Sequence, residues 1–421
     1  MTLRVPPGTS AGSFIIVPEP SLSNDSPISE SNFKALIPLA AATCVNIIGL
    51  GIVIPLLPFA VKEAGGGDFE AAAIFSVFSA CSLLSAPLWG RLSDRIGRKP
   101  VMIISVLATV ISYLWLANAD TQLAIFLSRA FAGFTAGWLA TSQAFVADVT
   151  TSEDRAKGMG MLGAAFGIGF TIGPAIGATA VGGDHPDFAF PSYISAGCAV
   201  VGLLITSLLV KEPARHRVHQ ADMAEKALKV AKEPWLLRLL VPFFLVSLVF
   251  TGVEGTLALW GAHVLDIGPR DIGYFLAFAG VINAIVQGGL VGRMSKKIGE
   301  ARVAFIGALA LMLSVISLSF VTQYYWLALP MALLAIAMGF HNPAMQSLMS
   351  RQAPEGLKGT VMGTAQSTSS LARIAGPALA GLALEHIDVS AQFWIGFVIL
   401  IPVLFMILAL GRNRATAEQR G

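Results

Sequence analysis

Apolar residues run along this chain in long blocks, each closed by a short polar stretch rich in Gly, Pro, Asp or basic residues. Twelve such blocks are read, near 35–60, 71–89, 101–117, 123–146, 158–181, 193–210, 239–260, 272–290, 304–321, 326–347, 359–384 and 393–410. About 20 apolar residues make a helix of about 30 Å, the thickness of a bilayer's hydrocarbon core. The pattern therefore predicts an all-α membrane protein with about 12 transmembrane helices. Several blocks hold Pro or Gly, which membrane helices tolerate because neighbours satisfy the freed backbone groups. The short alternating strands of a β-barrel are not visible. Composition agrees, with 55% apolar and 13% charged residues, against about 25% charged in a soluble domain.

Charge then orients the blocks. With loops alternating between two sides, 24 of the 28 Lys and Arg fall on one side, only Lys62 and Arg270 on the other, and Arg129 and Arg373 inside blocks. The positive-inside rule makes the basic side cytoplasmic, so both termini are expected in the cytoplasm beneath the cell inner (plasma) membrane. The net charge of +3 follows from this topology and gives no sign of nucleic-acid binding. Residues 1–33 are rich in Ser and Pro with Arg4 as their one basic residue, unlike a secretory signal. They read as a disordered cytoplasmic tail, a removed presequence being the alternative. Cys44, Cys81 and Cys198 fall inside blocks, which suits buried thiols rather than a disulfide or metal framework.

The longest polar connection, 211–238, divides the chain into a six-helix half at 34–210, another at 239–411, and a tail at 412–421. Within the connection Met223, Ala227, Leu228 and Ala231 recur at helical spacing, as in a short surface helix or a plain solvated linker. The halves repeat each other. Gly90-Arg-Leu-Ser-Asp-Arg-Ile-Gly-Arg-Lys99 returns as Gly292-Arg-Met-Ser-Lys-Lys-Ile-Gly-Glu-Ala301, and Gly173-Pro174 returns as Gly376-Pro377. Parallel repeats of this kind build transporters that rock two bundles about a midplane site.

The segment 90–99 resembles the loop signature of the major facilitator superfamily, G-x-L-x-D-R-x-G-R-K, at every fixed position. Arg129-Ala-Phe-Ala-Gly133 is similar to that family's fourth-helix motif, and Gly169-Phe-Thr-Ile-Gly173-Pro174-Ala-Ile-Gly177 to its antiporter motif. Gly49, Gly51, Pro55 and Pro58, with Asp148 before Arg155-Ala-Lys-Gly158, resemble the drug:proton antiporter branch. Pro343-Ala-Met-Gln-Ser-Leu-Met-Ser-Arg-Gln352 looks like tetracycline-efflux proteins. The resemblance implies the major facilitator fold of two pseudo-symmetric six-helix bundles. It also implies efflux of small amphiphilic compounds, such as drugs or metabolites, in exchange for protons. A facilitator or importer of the same fold is the alternative; a receptor or scaffold that transports nothing is a third reading. Expected partners are the substrate, protons and lipid, in a monomer; no enzymatic activity or cofactor is implied, and there is no P-loop for ATP.

Site residues follow. Gly90 and Gly97 permit a tight turn, and Asp94, Arg95, Arg98 and Asp148 form the cytoplasmic gate that the resemblance implies. In it Arg98 pairs with Asp148 and Asp94 faces the start of the eleventh helix. Gly169, Gly173 and Gly177 share one helix face, where small residues let backbones approach closely, with Pro174 bending the helix; a seal against leak and ordinary packing are both open. An ionisable group at membrane depth is a functional candidate by default. Arg129 matches the arginine linked in the family to proton coupling. Glu254 is the acid placed well inside a block, read as proton carrier, or else as a counter-ion for cationic substrates or a structural partner. His341 can titrate near neutrality or simply pack; Arg373 can bind an acid or carbonyls near the cytoplasmic end. With Asn46, Gln143, Asn283, Gln287 and Gln346 they are the cavity candidates. Tetracycline exporters carry Asp where Asn46 stands and acids in the third and ninth helices, whereas blocks 101–117 and 304–321 hold none.

Overall fold

The computed structural model describes residues 30–151, 154–183, 186–213, 233–354 and 357–418. The tail at 1–29 and the expected surface helix around Met223–Ala231 lie outside the described residues. Every predicted block is helical. The first half comprises α1 (Glu30–Val53), α2 (Leu57–Glu63), α3 (Asp68–Ile96), α4 (Arg98–Ala117), α5 (Gln122–Phe134), α6 (Trp138–Val149), α7 (Arg155–Ala180) and α8 (Ala189–Leu209). The second comprises α9 (Pro234–Leu265), α10 (Pro269–Ile285), α11 (Val291–Ile298), α12 (Glu300–Leu318), α13 (Ala328–Gln352), α14 (Lys358–His386) and α15 (Ala391–Glu418). The last helix runs on through the predicted tail at 412.

Three spans are interrupted. The first breaks between α1 and α2, where Pro55 and Pro58 withhold backbone donors. The fourth breaks between α5 and α6, and the indole Nε1 of Trp89 donates to the freed Phe134 carbonyl at 2.7 Å. The eighth contains a π-turn, Val286–Leu290, between α10 and α11, while α3 carries Pro87 within the second span. Among the described residues, eleven segments are long and apolar enough to cross a membrane. The remaining predicted span, the eleventh (α14), has 29 residues but carries the polar run Gln366-Ser-Thr-Ser-Ser370. Many large apolar side chains stand exposed, among them Leu84, Leu208 and Phe405, as a lipid-facing surface requires.

In the first half α1 packs on α7 and α8, and α4 on α8; in the second α9 packs on α14, and α12 on α13 and α15. The glycine stripe makes the first of these contacts. A Cβ at Gly173 would lie 2.7 Å from the Ile48 carbonyl oxygen and 2.8 Å from the Gly51 Cα. Gly169 and Gly177 face Ile47 and Ile52 in the same way. In the second half Gly376-Pro377 of α14 closes on Gly252 and Gly255 of α9. Gly173→Ala is expected to cost about 1–3 kcal/mol by overpacking, read as a lower melting midpoint of the detergent-purified protein.

The halves meet through α3 on α14 and α7 on α10. Ala178 and the Pro174 carbonyl lie against Gly273, Thr171 against Gly280, and Ala72 against Gly381. All these contacts belong to the end opposite the basic loops. Toward the basic end, Gly90, Gly160, Gly163, Gly288, Gly359 and Gly363 face open space. The conformation is thus closed at one end and open at the other.

Candidate functional site

At the open end, α3 turns into α4 through Gly97, whose φ of 110° belongs to the region that only glycine adopts readily. The turn brings Arg98 Nε to 2.8 Å from Asp148 Oδ2, and Arg98 Nη1 to 2.6 Å from Asp94 Oδ1. The expected Arg98–Asp148 pair is therefore present. Asp94 bonds Arg98 within this turn, and Gly90 on α3 and Gly359 on α14 both face open space. Arg95 is exposed. Sequence reading missed Glu212, whose carboxylate accepts the backbone N–H groups of Arg98 and Lys99 at 2.7 Å each. It satisfies orphan donors at the start of α4 and puts negative charge at the positive end of that helix. Its closeness also explains Gly97, where a Cβ would lie 2.5 Å from Glu212 Oε1.

The second half carries the same turn with its charges exchanged. Gly299 has φ 85°, and the next residue, Glu300, accepts Arg351 Nη2 at 2.9 Å. Glu300 opens α12 and Arg351 lies in the last turn of α13, the places that Arg98 and Asp148 hold in α4 and α6. The ninth span, expected to lack an acid over 304–321, thus begins at a buried carboxylate. The repeat Gly90–Lys99 to Gly292–Ala301 already places Glu300 opposite Arg98. The spacing from Gly173 to Gly376, one residue longer, carries Asp148 onto Arg351.

Between the halves the intramembrane charges separate into two settings. Arg129 is buried at 2% exposure, donates to Ser112 Oγ at 2.7 Å and lies over the Tyr113 ring, 5.3 Å from its centroid. It is packed inside the first half, held by hydroxyl and aromatic groups. Glu254 is half-buried on α9, one turn from Thr251, which donates to the Ala372 carbonyl of α14 at 3.0 Å. The charge of Arg373, exposed on α14, acts on Glu254; among the described residues no direct ion pair joins them. Arg373 stands at the middle of α14 rather than near its end as expected. Glu254 and Arg373 thus lie on two helices that pack together, α9 and α14, whereas Arg129 lies inside the first half.

A polar side chain exposed at membrane depth faces water rather than lipid. Gln143 on α6, Gln287 in the π-turn, Gln346 on α13 and Arg373 on α14 are exposed, and Gln287 donates to the half-buried Asn283 at 2.9 Å. Gln366 and Ser367 on α14 share this exposure and were not anticipated. Two cavity candidates are corrected. Asn46 points into the first half, where a Cβ on Gly202 would lie 2.7 Å from its Nδ2, and it donates to the Ala42 carbonyl at 2.9 Å. His341 is fully buried, stacked on Phe243 with Nδ1 3.2 Å from the Ala304 carbonyl. Neighbouring apolar helices enclose both, so their helix positions did not reveal which way they face. A separate, partly open cleft of about 460 Å³ lies at the closed end of the first half, lined by Leu56, Ala60, Glu63, Asp120, Asp187 and Ser192.

Two helical bundles of repeated sequence, with polar groups turned to a water-accessible space at membrane depth, define a membrane transporter. The sequence model of the Major Facilitator Superfamily matches residues 39–377 and again 290–421, and the chain belongs to that superfamily. It is similar to the class C tetracycline resistance protein of Escherichia coli, 28% identical over 401 residues, covering 92% of this chain and 98% of that protein. Multidrug resistance protein 2 of Bacillus subtilis (strain 168) is 28% identical over 385 residues, covering 89% and 94%. Among solved structures, the human organic anion transporter MFSD10 (TETRAN) superposes with a TM-score of 0.71 at 24% identity, covering 90% of this chain and all of that one.

Proposed function

We propose that this transporter is a proton-coupled antiporter that exports small amphiphilic compounds from the cytoplasm across the plasma membrane by alternating access. In this reading both termini are cytoplasmic and the conformation described is inward-facing. Exposed Gln143, Gln287, Gln346 and Arg373 contact substrate. Glu254 carries the proton and Arg373 moderates it; Arg129 orders the fourth span through Ser112 and Tyr113. Arg98, Asp94 and Asp148 meet the opposing bundle when the cytoplasmic end closes. The observation that carries the reading is Glu254, a half-buried acid at membrane depth on α9, the helix that packs on α14. The resemblance to tetracycline and multidrug resistance proteins supports export. The test is efflux of a panel of such compounds from cells with and without the gene, before and after the proton gradient is collapsed. Efflux that stops on collapse supports the proposal. Efflux that continues down the substrate gradient assigns the chain to facilitators, a reading favoured by Asn46 standing where tetracycline exporters carry an acid.

A further inference from the structure

At the closed end, the first turn of α3 is gripped by side chains of the other half. Glu385, in the last turn of α14, accepts the backbone N–H of Phe69 through Oε2 at 2.7 Å. His263, in the last turn of α9, brings Nε2 to 3.5 Å from Asp68 Oδ2. From its own half Asp68 receives Lys62 Nζ at 2.9 Å. A helix start offers unpaired N–H groups and the positive end of a dipole, so the Glu385 carboxylate suits that position electrostatically.

The His263 ring has little freedom in how it joins. Its Nδ1 lies 2.8 Å from the Leu259 carbonyl, which can only accept, so Nδ1 carries a hydrogen. Nε2 then donates to Asp68 only when the ring holds a second proton and is cationic. The other titratable groups at this corner are Lys62 on α2, Asp68 and Glu70 on α3, and Glu385 on α14.

We propose that Asp68, Glu385 and His263 form an outer clasp that holds the halves together while the basic end is open and that is released in every transport cycle. The His263 arm engages only when the ring is cationic, so acid outside favours the clasped state. The clasp rests on the alternating access proposed above and not on its proton drive, so loss of coupling in Glu254→Gln would leave it standing.

The test uses the full chain in membrane vesicles with Cys44, Cys81 and Cys198 replaced by Ser. Two reporters are introduced separately: Ala178→Cys at the closed end, and Gly363→Cys at the open end. Labelling by a membrane-impermeant maleimide, applied to right-side-out or inverted vesicles, reads which end is open. Asp68→Asn and Glu385→Gln are expected to raise labelling at Ala178→Cys about tenfold, the scale of one charge-assisted hydrogen bond, and to lower it at Gly363→Cys. The conservative Glu385→Asp keeps a carboxylate and is expected to give an intermediate shift if Glu385→Gln does not fold. Lower external pH is expected to slow labelling at Ala178→Cys relative to the same reporter carrying His263→Gln. Rates unchanged in Asp68→Asn and Glu385→Asp, or raised at both ends together as in a loosened fold, overturn the clasp. A pH response that survives His263→Gln overturns its His263 arm.

Discussion

Glu254→Gln is expected to reduce substrate-driven proton movement to background while substrate-for-substrate exchange continues. Gln keeps the size and hydrogen-bonding reach of Glu but cannot release a proton, so packing along the α9–α14 contact is preserved. Gly252 and Gly255 already fix that contact against Gly376 and Pro377. The measurement is substrate-dependent acidification or alkalinisation in vesicles, set beside counterflow of labelled substrate in the same preparation. The split between the two assays carries the information. Loss of both means that Glu254 holds substrate or structure; loss of exchange for cationic compounds alone means that it is their counter-ion. Proton movement at the wild-type level would remove Glu254 as carrier. Arg373→Gln supplies a second arm, since it removes the cation that acts on Glu254 and should change the pH dependence of exchange without abolishing it.

Arg351→Ala is expected to destabilise the second bundle by about 1–3 kcal/mol, between the values for surface and buried pairs. The reason is asymmetric burial. Glu300 has side-chain exposure of 5% and Arg351 63%, so removing the arginine takes a cation from a desolvated carboxylate, to which Ser347 also donates at 3.5 Å, whereas Glu300→Gln leaves an arginine already in water. Glu300→Gln should therefore cost less, and the order of the two melting midpoints checks the argument. Exchanging the pair, Glu300→Arg with Arg351→Glu, reproduces the polarity of Arg98–Asp148 and should recover part of the loss but not all of it. As found, Glu300 sits at a helix start and Arg351 at a helix end, in accord with both dipoles. Arg98 and Asp148 stand against theirs, and in the first half Glu212 supplies the negative charge at the start of α4.

Much of this fold was legible because its signal is local. Blocks of apolar residues gave the twelve spans, and the basic loops gave an alternation that a miscounted helix would have broken. The turn at Gly97 and the Arg98–Asp148 pair were legible through a close match to a known loop signature. The directions of Asn46 and His341 were not, because helices apolar on nearly every side leave rotation to be set by neighbours. Gly202 and Phe243 decide those rotations, and they lie far along the chain. Glu212, Asp68 and Glu385 escaped for a related reason. Each works through a backbone group or side chain that is distant in sequence, and a lone acid at a helix end reads as ordinary surface. Glu300 and Arg351 form an intermediate case, visible once the internal repeat is followed residue by residue.

The repeat offset that pairs Gly90 with Gly292 also carries Pro87 onto Gly289, inside the π-turn. One helix has lost a backbone donor at that level and the other has its acceptors displaced by a residue, so the same weakness is reached by different chemistry. Both helices reach across to the opposite half at the closed end, and both run free toward the basic loops. Each is a lever with a soft joint partway along its length, and the open mouth can widen by flexing there without the joined end having to slide.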